Sequence, residues 1–115
     1  MNGSTRLDRS FVALSHPVRR AIVERLADGP ATVGEATRGV AISKPAVTKH
    51  LKVLEQAGVV RRAVEGRTHR LWLEPAPLDA AADWLELHRS LWEAKFDAVE
   101  RHLGEEDERR SDGRN

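Results

Sequence analysis

The sequence has no cysteine among its 115 residues. That excludes a disulfide framework, a thiolate metal site and a cysteine nucleophile together. Aromatic residues are scarce at 4%, so aliphatic side chains must fill the core. No run approaches the roughly 18 to 20 uninterrupted apolar residues of a membrane helix, and the polar start from Met1 to Arg9 lacks a signal-type apolar segment. A cytoplasmic chain without membrane contact is expected. A Gly-rich phosphate loop and internal repeats are also missing.

A chain of this length fits one domain with a modest core, which leaves little room for a second, catalytic one. Subunit association could supply further burial. The formal net charge of +1 hides a segregation. Between Arg38 and Arg70 stand Arg38, Lys44, Lys49, Lys52, Arg61, Arg62, Arg67 and Arg70 against only Glu55 and Glu65, whereas acidic residues dominate from Glu74 onward. Because charge attraction acts over a Debye length of about 8 to 10 Å, a local basic stretch points to a polyanion-binding face better than the total does.

Residues 1–6 are polar and expected to be flexible, and Leu7, Phe11 and Leu14 then repeat at helical spacing. Pro17 suits the first turn of a second helix that buries Val18, Ile22, Val23 and Leu26 and stops at Asp28-Gly29-Pro30. Thr32 with Glu35 forms a capping-box pattern for a short third helix from Val33 to about Arg38. Ser43 as N-cap, Pro45 in the first turn and Gly58 at the far end delimit a fourth helix reaching about Ala57. The runs from Val59 to Val64 and from Thr68 to Leu73 flank Glu65-Gly66-Arg67 as a β-hairpin. A last helix is expected over about 78–102, and the charged residues 104–115 read as a disordered tail.

Three helices followed by a two-stranded hairpin is the order of a winged helix-turn-helix, so the fold class expected is mainly α with one hairpin and about five helices. Turning Val47, Leu51 and Leu54 inward puts Pro45, Thr48, Lys49, Lys52 and Gln56 outward, a face without carboxylates. Thr48 and Lys49 are the candidates for base contacts in a major groove. Ser43 and Lys44 lie where a helix N-terminus suits a phosphate, and His50 and Lys52 are candidates for backbone contact. In the hairpin, Arg61, Arg62, Arg67, His69 and Arg70 cluster near the turn as a wing on DNA would require.

The segments ALSHPVRRAIVERLADGP, ISKPAVTKHLKVLEQAGVVRRAVEGRTHRLWL and WLELHRSLWEAKFDAVERHL resemble the ArsR/SmtB family of winged-helix repressors over nearly all of residues 11–103. The resemblance implies a homodimer paired through its first and last helices, bound to a roughly palindromic operator. It matches Ser43, Lys44, Pro45, Thr48, Lys49 and His50 to the family's recognition-helix pattern and residues 65–68, with Arg67 and Thr68, to its wing tip. The expected dimer seam comprises Leu7 and Phe11 of the first helix with Leu78, Leu85, His88, Trp92, Phe96 and Val99, which follow three-and-four spacing along the last. Many members sense metals through cysteines near the third helix, where this chain reads VGEATRGV. Others use carboxylate and histidine ligands on the last helix, but Asp83, Glu86, His88, Asp97 and His102 do not fall at that spacing. No metal and no cofactor are therefore expected, and an effector of unassigned chemistry stays open.

Three rival readings remain. An enzyme would draw on His16, His50, His69, His88 and His102, which are dispersed and accompanied by no nucleophile motif; catalysis is not expected. A protein-binding winged-helix module would show acidic or apolar residues on the outer face of the fourth helix, where Thr48, Lys49 and Lys52 stand instead. A repressor sensing a metal or small molecule at the dimer interface would use the surroundings of His88 or of Trp84 and Trp92.

Overall fold

The structure is a computed structural model that describes the backbone of residues 2–112 and the side chains of residues 5–106. The described elements are α1 (Asn2–Ala13), α2 (Pro17–Leu26), β1 (Ala31–Thr32), α3 (Val33–Ala36), α4 (Lys44–Gln56), β2 (Val60–Glu65), β3 (Thr68–Leu73) and α5 (Pro75–Asp112). The chain divides into two units, Met1–Ala81 and Ala82–Asn115.

In the first unit the helices form where the sequence supplies their ends. The His16 imidazole caps α2 by accepting from the Val18 amide at 3.1 Å. The Thr32 hydroxyl accepts from the Glu35 amide at 3.2 Å, and hydrogen bonds from the Thr32 side chain and backbone hold the Glu35 carboxyl below the usual carboxylate range. Ser43 caps α4 through the Ala46 amide at 3.3 Å. At the other end of α4 the Gly58 amide donates to Glu55 O at 2.9 Å and the Val59 amide to Leu54 O at 3.1 Å. This paired closure requires a left-handed residue, and Gly58 supplies it with φ of 72°.

The apolar faces meet in one cluster that includes Ile22 and Leu26 of α2, Leu51 and Leu54 of α4, Val59, Val60 and Leu71. Each large aliphatic side chain so buried contributes roughly 1.5 to 3 kcal/mol. Val47 packs against this cluster partly buried, so the expected inward face of α4 is the observed one.

Four element bounds differ from the sequence-based expectation. The hairpin is joined by β1 into an antiparallel sheet of order β1-β3-β2, with Ala31 opposite Leu71 and Thr32 opposite Arg70. A two-residue strand carries too little alternation to be read from sequence. Helix α1 already includes residues 2–6, expected to be flexible; Met1 lies outside the described residues. Helix α3 ends at Ala36, because Thr37 leaves the helical region at φ −109° and ψ 10°. Finally, α5 begins at Pro75, where proline fits the first turn, and continues to Asp112 through most of the stretch expected as a tail. Residues 104–112 hold no proline and consist largely of Glu, Asp and Arg, which a helix accommodates once it has been nucleated. Residues 113–115 lie outside the described residues.

The second unit is the rest of α5. Successive positions turn by about 100°, so Leu85, His88, Trp92, Phe96, Val99 and Leu103 share one face, while Trp84, Leu87, Leu91, Ala94 and Ala98 share another. The large apolar residues of both stripes are exposed, Trp92 at 68%. The remaining arc is charged and self-paired: Arg89 forms ion pairs with Glu86 and with Glu93.

Candidate nucleic-acid interface

Helix α4 presents Ser43, Lys44, Pro45, Thr48, Lys49, Lys52 and Gln56 as an exposed set. Lys44, Lys49 and Lys52 form no ion pair among the described residues, so their charge is uncompensated locally. The Thr48 hydroxyl turns back to Lys44 O at 3.1 Å. Its methyl group and the acceptor lone pairs of its hydroxyl are what this residue has left to offer a neighbouring surface.

The wing is short and tightly turned. Glu65 pairs with Thr68 across the two-residue loop Gly66-Arg67. Gly66 has φ of 63° and, among the described residues, no non-glycine residue has positive φ, the sign pattern of the hairpin turns that match strand twist with glycine first. Arg67 and Thr68 are exposed at this tip. A groove between α4 and the wing is lined by Thr48, Leu51, Arg62, Arg67, Thr68 and His69. Helix α4 and the hairpin tip thus border one cleft that carries Arg62, Arg67 and His69.

Three candidates point into the protein instead. Arg62 lies half-buried and donates to the Glu55 carboxylate of α4 at 2.6 Å and to His69 Nδ1 at 3.0 Å. Arg62 and His69 are diagonal neighbours on one face of the hairpin, because Arg62 stands opposite Leu71 and Val64 opposite His69. His50 turns toward α2, where its Nδ1 faces Arg19 Nη1 at 3.1 Å and its ring lies 4.3 Å from that of His16. Burial holds the His50 imidazole below its usual range, and the nearby His16, Arg19 and Lys49 press in the same direction.

Two arginines outside the expected set organise this region. Arg19 donates to Ala13 O at 2.9 Å and Val12 O at 2.8 Å, and Arg20 to Leu14 O at 2.8 Å. They satisfy the carbonyls that the end of α1 leaves open. The sequence signal was the adjacent pair of arginines just beyond a helix end, which resembles an ordinary solvated pair.

Of the expected seam residues, Leu7 and Phe11 are half-buried within the first unit, and Leu78 packs against the core. Leu85, His88, Trp92, Phe96 and Val99 are exposed. The His88 ring stacks on Trp84 with centroids 4.0 Å apart and bonds to Trp84 O at 2.8 Å. Among the described residues no three His, Asp or Glu side chains converge on a point where a metal could sit.

A helix-turn-helix domain family matches residues 14–63. The HTH-type transcriptional regulator Rv2034 of Mycobacterium tuberculosis is 48% identical over 73 residues, covering 64% of this chain and 68% of the relative. The transcriptional repressor SdpR of Bacillus subtilis is 32% identical over 69% of this chain and 88% of its own length. The crystal structure of an ArsR family transcriptional regulator superposes with a TM-score of 0.73 at 37% identity, covering 78% of this chain and 93% of that one.

The chain belongs to the ArsR family of winged helix-turn-helix transcriptional regulators. The matched helix-turn-helix segment spans α2, α3, α4 and the start of β2. The exposed basic residues of α4 therefore sit on the last helix of the matched segment, and Arg67 sits at the tip of the hairpin that follows it. Chemically, the outer face of α4 offers ammonium donors and no carboxylate, and the cleft beside it offers the exposed Arg67 guanidinium and Thr68 hydroxyl.

Proposed function

We propose that the chain is a homodimeric transcriptional repressor that lays α4 in the major groove of a two-fold symmetric operator and rests its wing on the flanking backbone. The observation that carries this reading is the outer face of α4, where Lys44, Thr48, Lys49 and Lys52 are exposed and the lysines have no ion-pair partner among the described residues. Carboxylates there would repel phosphates; none occurs.

In this reading Thr48 and Lys49 meet base edges, since lysine can donate to guanine acceptors and the threonine methyl can touch that of thymine. Ser43, Lys44 and Pro45 open the helix, where free amides and the helix dipole favour a phosphate. Lys52, Arg67 and Thr68 contact the sugar-phosphate backbone, while Arg62, His69 and His50 brace the elements that make contact. The two apolar stripes of α5 support dimerisation, because a helix with Leu85, Trp92, Phe96 and Val99 exposed gains by burying them against a second copy.

Selection of bound duplexes from random DNA tests the proposal. Enriched sequences should contain two inverted half-sites whose centres lie about 34 to 36 Å apart, one helical turn. Enrichment without two-fold symmetry would refute the dimeric operator, and no enrichment would refute sequence reading altogether.

A further inference from the structure

We infer that Arg19 is a positioning residue for DNA reading: through His50 it ties the reading helix α4 to the C-terminal end of α1. The inference rests on the DNA-binding role proposed above and adds two residues that act without touching DNA.

All three nitrogens of the Arg19 guanidinium are engaged. Nε donates to Ala13 O at 2.9 Å, Nη2 to Val12 O at 2.8 Å and to Ser15 Oγ at 3.2 Å, and Nη1 to His50 Nδ1 at 3.1 Å. One planar group thus spans the end of α1 and the middle of α4. Arginine has no acceptor atom, so His50 Nδ1 must accept, and the imidazole is the neutral form with its proton on Nε2. His16 reinforces this placement. Its Nδ1 is occupied by the Val18 amide at 3.1 Å, and its ring lies against that of His50, tilted by 42°.

The arrangement works in one protonation state only. A proton on His50 Nδ1 removes the acceptor and sets an imidazolium against the guanidinium of Arg19. The groups that act on His50 are His16 from the turn before α2, Arg19 from α2 and Lys49 from α4 itself; none of them is a carboxylate. Acidification therefore releases α4 from its tie, although more positive charge near DNA would by itself strengthen attraction to phosphate. The two effects have opposite signs, which makes the inference testable.

The test measures anisotropy of two labelled duplexes, one enriched from random DNA by the wild-type protein and one of unrelated sequence, across salt and from about pH 7.5 to about pH 5.5, the window of histidine titration. Arg19→Gln should lower the ratio of selected to unrelated affinity by roughly tenfold, the scale of a lost hydrogen bond to a charged group, and leave the salt slope unchanged. The wild-type ratio should fall on acidification. His50→Gln, whose amide oxygen still accepts but takes up no proton, should give a ratio flat with pH. A salt slope shallower by about one in Arg19→Gln would make Arg19 a phosphate contact and overturn the inference. Matching pH courses for wild type and His50→Gln would overturn it as well. Failure of the wild type to enrich any duplex would instead overturn the DNA-binding reading.

Discussion

Arg62 on the hairpin and Glu55 on α4 are joined by an ion pair of 2.6 Å, with roughly a quarter to a third of each side chain exposed. At that burial the pair is screened less than a surface pair. It should couple wing and helix by about 1 to 2 kcal/mol, above the exposed-pair range because the bond is short and charge-assisted. A double-mutant cycle with Arg62→Met and Glu55→Gln in urea unfolding measures it; a coupling near zero would show the two elements to be energetically independent.

Lys49 and Arg67 should separate reading from anchoring. Lys49→Ala is expected to weaken binding to the selected duplex by about 1 to 3 kcal/mol with little effect on unrelated DNA. Arg67→Ala should weaken both duplexes alike and reduce the salt slope by about one. Anisotropy titrations at several salt concentrations distinguish the two patterns, and the reverse assignment would exchange the roles.

Gly58 closes α4 with φ of 72°. A Cβ added there would meet only Pro77 Cγ at 3.7 Å, an ordinary contact. The cost of Gly58→Ala is therefore backbone strain rather than crowding, about 1 kcal/mol. Thermal unfolding should reveal a lower midpoint, and Gly58→Asn should recover part of the loss.

Trp92→Glu should yield a monomer in sedimentation experiments while leaving the fold of the first unit intact by circular dichroism. Trp92 is 68% exposed, so the protomer itself gives up little burial. A dimer that survives this change would place the seam elsewhere.

Folding stability should depend on pH through His50. Its pKa is lowered on folding, chiefly by burial, so the neutral form is favoured in the native state. The associated stability is fully present above the unfolded value of about 6.5 and declines as pH falls below it toward the folded value. Urea unfolding from about pH 7.5 to about pH 5 should show a steeper loss for the wild type than for His50→Gln.

The ends of α2 and α4 were legible because they rest on local chemistry. Ser43, Pro45 and Gly58 bounded α4, and Val47, Leu51 and Leu54 set its inward face. Strand β1 was not, since two residues leave no alternation to detect, and its existence depends on Leu71 and Arg70 forty residues away. Residues 104–112 were read as tail because they lack apolar periodicity, yet a helix already under way needs no apolar face to continue. In the candidate site, spacing told which residues of α4 look outward but not which basic residues already have partners. Arg62, His69 and His50 share the residue types of a DNA contact and spend them on Glu55 and Arg19, and such pairings are set by tertiary structure alone.

Thr32 holds two positions at once: it stands opposite Arg70 in the sheet and its hydroxyl caps α3. A rotation of the wing against α3 would therefore have to break one of these two engagements. Thr32 thus ties the wing to α3 at a point separate from the Gly58 turn that joins α4 to β2. In the reading proposed above, variation in groove width from one site to another is then taken up by the long side chains of Lys49, Lys52 and Arg67 or by bending of the duplex, which makes the stiffness of the DNA a determinant of site choice.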